Sequence, residues 1–135
     1  MPSITGQVEV NLTVSDPRRS AAWYSTLFGL RTRYEFDGPD GSLTYVSLEE
    51  PRSGLILSLV GHASNNGAPF SESRNGLDHL EFLVPDLEEL VQWVNRLDQL
   101  SIPHSGITQP SYTPNAMLTF RDPDNIQLEF FWRGV

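Results

Sequence analysis

The sequence predicts an α+β fold built from two similar modules, each with the element order β-α-β-β-β. Three observations predict it: two matching strand-then-helix openings about 70 residues apart, three strand-like runs after each helix, and a chain of 135 residues. We expect one domain spanning 1–135, with module one at about 7–60, a linker at 61–75 and module two at about 76–132. Since neither module can bury its own sheet alone, we expect the two to pair into a curved, barrel-like mixed sheet with a central cleft.

Each module opens with a strand that ends at an aspartate and leads into a helix. The two openings read VEVNLTVSD and DHLEFLVPD. Asp16 and Asp86 carry the short acceptor side chain that helix N-caps prefer, and Pro17 suits a first helical position. Gly29 is typical of the residue that follows a helix end. Apolar residues at three-to-four spacing predict the two helices: Ala21, Ala22, Tyr24, Leu27 and Phe28, then Leu87, Leu90, Val91, Val94 and Leu97.

Three strand-like runs follow each helix, and turn-forming residues separate the hairpin strands. The turn sequences are GPDG in module one and DPDN in module two. The predicted strands are Arg31–Phe36, Leu43–Leu48 and Leu55–Val60 in module one, and His104–Gln109, Ala116–Arg121 and Ile126–Trp132 in module two.

Composition excludes several classes of function. Nine Arg, no Lys and seventeen acidic residues give a net charge of −8, without the basic stripe that nucleic-acid binding needs. The absence of cysteine excludes disulfides, thiolate metal sites and a cysteine nucleophile. No apolar run is long enough to span a bilayer, and the first ten residues do not read as a secretory signal. We therefore expect a cytoplasmic protein with neither a nucleic-acid nor a membrane partner.

Alternation along the strands places several ionisable residues on the sheet faces that point away from the helices. These residues are Glu9, His79, Glu81 and Glu129. They can simply face water. If the face curls into a partly dry cleft, the carboxylates need a countercharge from a metal, a cationic ligand or an arginine, or must be protonated. Carboxylate and imidazole donors suit Mn, Fe, Co, Ni or Zn, and three ligands leave open positions for water or substrate.

Three segments carry a resemblance to a known family: VNLTVSDPRRSAAWYSTLFGL, GLDHLEFLVPDLEELVQWVNRL and LTFRDPDNIQLEFFW. From about Gln7 to Trp132, the chain resembles the vicinal oxygen chelate superfamily. That superfamily includes glyoxalase I, extradiol dioxygenases, methylmalonyl-CoA epimerase, fosfomycin-resistance enzymes and bleomycin-binding proteins. The resemblance implies the paired-module fold, but not one chemistry, because this fold hosts many activities.

The resemblance also implies where metal ligands would lie. The family's positions correspond to Glu9, Ser58, His79 and Glu129. His79 and Glu129 fit the family pattern, whereas Glu9 stands where His or Gln is usual and Ser58 stands where glyoxalase-type members have a carboxylate or amide. The implied metal ligands are therefore Glu9, His79 and Glu129, a layout closer to fosfomycin-resistance enzymes and dioxygenases. Two carboxylates tune a metal differently from two imidazoles, which weakens the similarity to dioxygenases.

Two functions follow from the resemblance. The first is a divalent-metal-dependent enzyme (a lyase, isomerase, transferase or dioxygenase) acting on a substrate with vicinal oxygens, with Glu81 as a candidate general base or supporting group. The alternative is a non-catalytic protein that sequesters an antibiotic or natural product and needs no metal. In either case we expect a small-molecule partner, a homodimer, and ligand-binding residues Asn11, Tyr45, Ser58, Glu81 and Phe131.

Overall fold

The predicted α+β class is confirmed in the structure, a computed structural model that describes residues 1–135. The chain divides into two compact units, Met1–Ala68 and Pro69–Val135, and each contains one module. Neither sheet closes on itself. Neither helix is long and apolar enough to cross a membrane.

Module one forms a four-stranded sheet with one helix on it. Its elements are β1 (Val10–Thr13), α1 (Pro17–Phe28), β2 (Arg31–Asp37), β3 (Leu43–Glu50) and β4 (Leu55–His62). The strand order is β1-β4-β3-β2, with β1 parallel to β4 and the other pairs antiparallel. The register of β2 shifts between Thr32 and Tyr34, so Arg33 is an extra residue in this edge strand.

Module two forms a three-stranded sheet with the order β5-β7-β6. Its elements are β5 (Leu80–Leu83), α2 (Leu87–Gln99), β6 (Ala116–Arg121) and β7 (Gln127–Trp132). β5 runs parallel to β7 and β6 runs antiparallel to it. The prediction of a strand at His104–Gln109 is wrong, since this segment makes only two isolated bridges, His104 to Phe120 and Thr108 to Met117. Gly106 interrupts the segment with a positive φ of 71°, and Pro103 and Pro110 flank it, which disfavours a regular strand.

The predicted helix boundaries are confirmed by the caps. The Asp16 side chain accepts a hydrogen bond from the Arg19 N–H, and Asp86 accepts one from the Glu89 N–H. Each bond satisfies a backbone donor that the first helical turn leaves free. Gly29 ends α1 in the left-handed conformation with φ of 69°, which costs glycine little because it lacks a Cβ.

Each helix packs on one sheet face through apolar side chains, which buries a separate core in each module. In module two the Trp93 ring stacks on Phe130 with 4.2 Å between ring centroids. The buried sheet residues are Leu12, Val46, Leu48, Leu57 and Leu59 in module one, and Leu118, Phe120, Leu128 and Phe130 in module two. The opposite face of each sheet carries the polar strand residues Ser47 and Ser58 in module one and Glu129 in module two.

Two further expectations need correction. The opening run VEVNLTVSD predicts an apolar strand face that begins at Val8, but Val8 precedes β1 and is 77% exposed. The segment expected as a linker begins too early, since β4 continues through Gly61 to His62. Cross-strand pairing with β3 extends the strand beyond its apolar run, which ends at Val60.

Candidate functional site

The ionisable residues of module two lie on the sheet face that points away from α2. β5 and β7 run parallel, and their register sets Glu81 beside Glu129. His79 immediately precedes β5 and lies two residues before Glu81, on the same side. The neighbours of Glu129 in β7, Leu128 and Phe130, are buried on the opposite, helix-facing side. The parallel pairing therefore brings one imidazole and two carboxylates together.

These three side chains form a tight cluster, which we call the His–Glu–Glu cluster (His79, Glu81 and Glu129). One ligand atom from each lies within 4.8 Å of the others. His79 Nε2 lies 3.8 Å from Glu81 Oε2. Glu129 is buried with 6% exposure, His79 is half-buried, and Glu81 is exposed. The cluster thus has a buried end at Glu129 and an open end at Glu81.

Asp78 orients the imidazole of His79. His79 Nδ1 lies 2.6 Å from Asp78 Oδ1, and the raised pKa of His79 results first from this hydrogen bond. The charges of Glu129, Asp78 and Glu81 raise this pKa further, while partial burial opposes them. In the neutral tautomer that donates Nδ1–H to Asp78, Nε2 has a lone pair directed to the two glutamates. A carboxylate behind a histidine in this way fixes its tautomer and strengthens it as a metal ligand.

The environment of Glu129 disfavours its charged form. Burial raises the pKa of Glu129, the nearby Glu81 charge raises it further, and His79 opposes both effects. Two carboxylates that converge beside a half-buried imidazole repel each other unless a cation or a proton neutralises them. The cluster therefore has the electrostatic character of a cation site.

The donor set fits a divalent metal ion. One imidazole nitrogen and two carboxylate oxygens suit hard and borderline ions such as Mn, Fe, Co, Ni and Zn. Three protein ligands leave coordination positions for water or for substrate oxygens. The sequence also predicts Glu81 as a general base or supporting group. Its place at the open end of the cluster agrees with that role, because an exposed carboxylate can exchange protons with solvent.

The equivalent positions of module one are neutral. β1 and β4 pair Asn11 with Ser58, just as β5 and β7 pair Glu81 with Glu129. Ser58 is 2% exposed and donates a hydrogen bond to Ser47 Oγ at 3.0 Å. Asn11 Oδ1 accepts a hydrogen bond from the Tyr45 hydroxyl at 2.9 Å. Module one therefore offers uncharged hydrogen-bonding groups where module two offers carboxylates.

The two remaining predicted residues are Glu9 in module one and Phe131 in module two. Glu9 is exposed and immediately precedes β1, the position that His79 occupies before β5. Phe131 is half-buried in β7, two residues beyond Glu129, and pairs with Leu83. Glu9 and the His–Glu–Glu cluster belong to different units, so a metal-ligand role for Glu9 stays a prediction.

Sequence reasoning missed two contributions to these faces. Asp78 was not singled out, because adjacent residues of a regular strand point to opposite sides. Asp78 precedes β5, and its carboxylate reaches the ring of His79 from outside the regular strand. Arg33 was also missed; a one-residue register shift places it beside Ser47, to which its Nη1 donates at 3.4 Å.

The two modules, βαβββ in the first and βαββ in the second, and the His–Glu–Glu cluster define the class of protein. The family model of the Glyoxalase/Bleomycin resistance protein/Dioxygenase superfamily matches residues 6–130. The chain belongs to this superfamily, which confirms the resemblance inferred from the sequence.

Solved structures show the same fold. A glyoxylase/bleomycin resistance protein/dioxygenase domain from Frankia sp. EAN1pec is 29% identical, with a TM-score of 0.84 over 97% of this chain and 93% of that one. A glyoxalase family protein from Enterococcus faecalis is 21% identical, with a TM-score of 0.76 over 94% of this chain and 98% of that one. The fosfomycin resistance protein FosX from Listeria monocytogenes, complexed with Mn(II) and sulfate, is 18% identical, with a TM-score of 0.67 over 96% of this chain and 93% of that one. No match was found among curated proteins.

Proposed function

We propose that the protein is a divalent-metal-dependent enzyme whose metal is held by His79, Glu81 and Glu129. The observation that carries this proposal is the convergence of three ligand atoms within 4.8 Å, with the imidazole oriented by Asp78. The two carboxylates of this half-buried cluster repel each other, and a divalent cation would neutralise that repulsion. The FosX structure complexed with Mn(II) supports Mn²⁺ as the first ion to test.

The proposed substrate is a small molecule with two vicinal oxygens. Oxygen ligands of this kind suit the positions that three protein donors leave open. A divalent ion bound here supplies Lewis-acid chemistry, which stabilises negative charge on a substrate oxygen. The reaction type (lyase, isomerase, transferase or dioxygenase) depends on the protein groups that contact the substrate.

The three residues are expected to have different roles. Glu129 is buried and fixed in β7, and His79 is fixed by Asp78, so these two are the permanent ligands. Glu81 lies at the open end with its side chain 40% exposed. We propose that Glu81 either completes the metal site or accepts a proton from the substrate, since its carboxylate reaches both the cluster and solvent.

Metal titration tests the proposal. Calorimetric titration of the purified protein with Mn²⁺ is expected to show one site, and His79→Ala and Glu129→Gln are each expected to weaken it by at least about tenfold. Matched controls are His62→Ala, at the exposed end of β4, and Glu88→Gln, in the first turn of α2. Equal Mn²⁺ affinity in the cluster variants and the controls would overturn the proposal.

Glu9 is proposed as a further metal ligand on the strength of the family resemblance and its repeat position. Glu9→Gln keeps the size of the side chain and removes its charge. If Glu9 is a ligand, this variant weakens Mn²⁺ binding as Glu81→Gln does. Affinity equal to that of the unmodified protein would limit the site to the His–Glu–Glu cluster.

A second candidate function is a non-catalytic binding protein. It is favoured by Ser58, which is neutral at a position where glyoxalase-type relatives have a ligand, and by the hydrogen bond between Asn11 and Tyr45. A binding protein of this kind takes up its ligand without metal and releases it unchanged. Mass spectrometry of ligand carried through purification, with and without EDTA treatment, separates the two functions.

We also propose a homodimer, following the family resemblance. Multi-angle light scattering after gel filtration measures the mass directly. A mass near twice 15.2 kDa is expected, and a mass of one chain would show that the protein acts as a monomer.

A further inference from the structure

The face of the first sheet that points away from α1 carries an aromatic surface that the metal proposal does not use. Cross-strand pairs share a face, and the register pairs Tyr34 with Ser47 and Phe36 with Tyr45. We call Arg33, Tyr34, Phe36 and Tyr45 the aromatic face. Tyr34 and Phe36 are 50% and 52% exposed, which is unusual for large rings on adjacent alternate positions of one strand.

We propose that the aromatic face of module one binds a planar aromatic carboxylate. This inference goes beyond the proposed metal site, since it concerns residues outside the His–Glu–Glu cluster. The occupant is a flat ring that stacks against the exposed rings and carries an anionic oxygen group that Arg33 recognises.

The rings are available for stacking. Phe36 and Tyr45 lie directly opposite each other on β2 and β3. Tyr45 is fixed by its hydroxyl, which donates to Asn11 Oδ1 at 2.9 Å. Aromatic side chains held in this way offer large, rigid apolar surfaces, which favour a planar ring by offset stacking. A flat aromatic ligand therefore suits this surface better than an aliphatic one.

Arg33 supplies the charge. Its one hydrogen bond goes to Ser47 Oγ at a long 3.4 Å, its Nε lies 3.8 Å from Glu49, and its side chain is 30% exposed. Its guanidinium carbon lies 5.6 Å from the centre of the Tyr34 ring. Since a guanidinium has five donors, most remain free to bind a carboxylate in a bidentate manner. The guanidinium of Arg33 therefore lies beside the exposed rings of the aromatic face.

Charge complementarity favours an anion over a cation on this face. Its one carboxylate, Glu49, is engaged at 2.9 Å by Arg31. Glu35 and Asp37 belong to the other face of β2, where both pair with Arg18 from α1. Two arginines and one neutralised glutamate thus make this face locally cationic, on a chain whose net charge is −8. A cationic ligand finds no free carboxylate among these residues, and Glu9 precedes β1, at the opposite edge of the sheet from β2.

Module two supports a separate role for this surface. Glu81 and Glu129 of module two correspond to Asn11 and Ser58 of module one. Two residues further along the strands, the cross-strand pair is Met117 and Phe131 in module two, and Tyr45 and Val60 in module one. Module one thus carries two exposed rings beside Arg33, and module two carries the His–Glu–Glu cluster. The two copies of one geometry therefore differ in ligand chemistry.

The test uses 2-naphthoate as the probe and full-length protein treated with EDTA. Calorimetric titration is expected to show saturable binding of 2-naphthoate that is stronger than binding of 2-naphthalenemethanol, which lacks the charge, and of decahydro-2-naphthoate, which lacks the planar ring. Equal binding of all three compounds by the unmodified protein would overturn the proposal, and this comparison depends on no variant.

Variants locate the site. Arg33→Gln is expected to weaken 2-naphthoate binding by about tenfold or more while leaving 2-naphthalenemethanol binding unchanged. Arg33→Lys keeps the charge but loses the fork, so an intermediate loss is expected. Phe36→Leu is expected to weaken both compounds, and Arg52→Gln, at a side chain 93% exposed, is the control that changes neither. Unchanged 2-naphthoate binding in Arg33→Gln would overturn the proposal.

Two further outcomes separate this proposal from others. If 2-naphthoate binds only when Mn²⁺ is present and His79→Ala abolishes it, the probe binds at the metal and the aromatic face is not its site. If Tyr34→Leu and Phe36→Leu instead abolish self-association and leave probe binding intact, the aromatic face is an interface between copies of the chain. Mn²⁺ affinity is expected to be unchanged in every aromatic-face variant, so failure of either proposal leaves the other testable.

Discussion

At the residue scale, the position of His79 depends on a neighbour that is not itself in the cluster. Asp78 accepts a hydrogen bond from Nδ1 and so directs Nε2 to the two glutamates. A histidine without such a partner rotates about its side-chain torsions and exchanges tautomers. The metal-binding geometry of module two therefore relies on Asp78 as a positioning residue.

Asp78→Asn is expected to weaken Mn²⁺ binding by about tenfold, because the amide orients the imidazole less well and makes it less basic. The variant also removes a cause of the raised pKa of His79, which reduces competition from protons. Titration at about pH 8, where that competition is smallest, therefore isolates the positioning effect. Asp86→Asn, at the cap of α2, is the control. Identical affinities for Asp78→Asn and the unmodified protein would remove Asp78 from the site.

Metal binding is also expected to weaken as the pH falls. A metal requires the neutral form of His79 and the charged form of Glu129, and the pKa of each is raised above its ordinary value. Protons therefore compete with the metal for His79, beginning above the ordinary pKa of histidine. Below the His79 pKa, the metal affinity is expected to fall by about tenfold per pH unit. Titrations at about pH 6, 7 and 8 measure this slope. A flat profile would show that His79 is not a ligand.

At the element scale, the two helix caps are expected to contribute similar amounts of stability. Asp16→Ala and Asp86→Ala each remove one hydrogen bond to a free backbone N–H and are expected to lower the free energy of unfolding by about 1 kcal/mol. Asp16→Asn and Asp86→Asn retain an acceptor and are the matched controls. Urea denaturation measures the difference. A loss in the Asn variants equal to that in the Ala variants would indicate that charge, and not the hydrogen bond, stabilises the helix start.

The turn before β7 is expected to be more sensitive than either cap. Asp122 is buried, and its Oδ1 accepts the N–H groups of Asp124 and Ile126, both at 2.8 Å. Asp122→Ala leaves these donors without their acceptor and is expected to cost about 1–3 kcal/mol. Asp122→Asn keeps an acceptor and should cost less. Because the turn leads into β7, lower stability of Asp122→Ala should be accompanied by weaker Mn²⁺ binding through Glu129.

The sequence predicted most elements because their signals are local. Alternation in β6 and β7, the capping aspartates and Gly29 each act within a few residues. The segment after α2 could not be predicted in this way. There His104 Nε2 lies 2.9 Å from Asp98 Oδ1 and its Nδ1 accepts the Gly106 N–H, so contacts with the end of α2 hold the segment in place of strand pairing.

At the scale of the whole molecule, the His–Glu–Glu cluster and the exposed ion pairs contribute to folding stability with opposite pH dependences. His79 and Glu129 have raised pKa values in the folded state, so their contributions fall as the pH rises through those values. Glu50 and Glu72 have pKa values of about 2, set first by hydrogen bonds to Ser53 and Arg121 respectively. Their contributions are present above the ordinary glutamate pKa and fall as the pH decreases toward 2.

Metal-free protein is therefore expected to be most stable in weakly acidic solution. Its melting temperature should decrease from about pH 6 to pH 8, and again below about pH 4. Saturating Mn²⁺ is expected to remove the decrease at the higher pH, because it replaces the proton as the countercharge. Differential scanning fluorimetry with EDTA and with Mn²⁺ measures both curves. Parallel curves across the range would contradict a metal at the His–Glu–Glu cluster.

The residues of the candidate site were only partly predictable. His79, Glu81 and Glu129 could be placed on one face by alternation, and the cross-strand pairing of Glu81 with Glu129 then follows from the parallel register. The aromatic face was only partly predictable, through Tyr45. The register shift at Arg33 moves Arg31 and Tyr34, three residues apart, to the same side of β2, and simple alternation assigns them to opposite sides.

That extra residue in β2 makes the surface of module one sensitive to chain length as well as to side-chain identity. Deletion of Arg33 would restore strict alternation, so one end of the strand would have to rotate by half a turn relative to the other. Arg31 would then leave Glu49, or Tyr34 and Phe36 would turn toward α1. Homologues that lack one residue in this loop-to-strand region should therefore present a different recognition surface, even where every aligned side chain is the same.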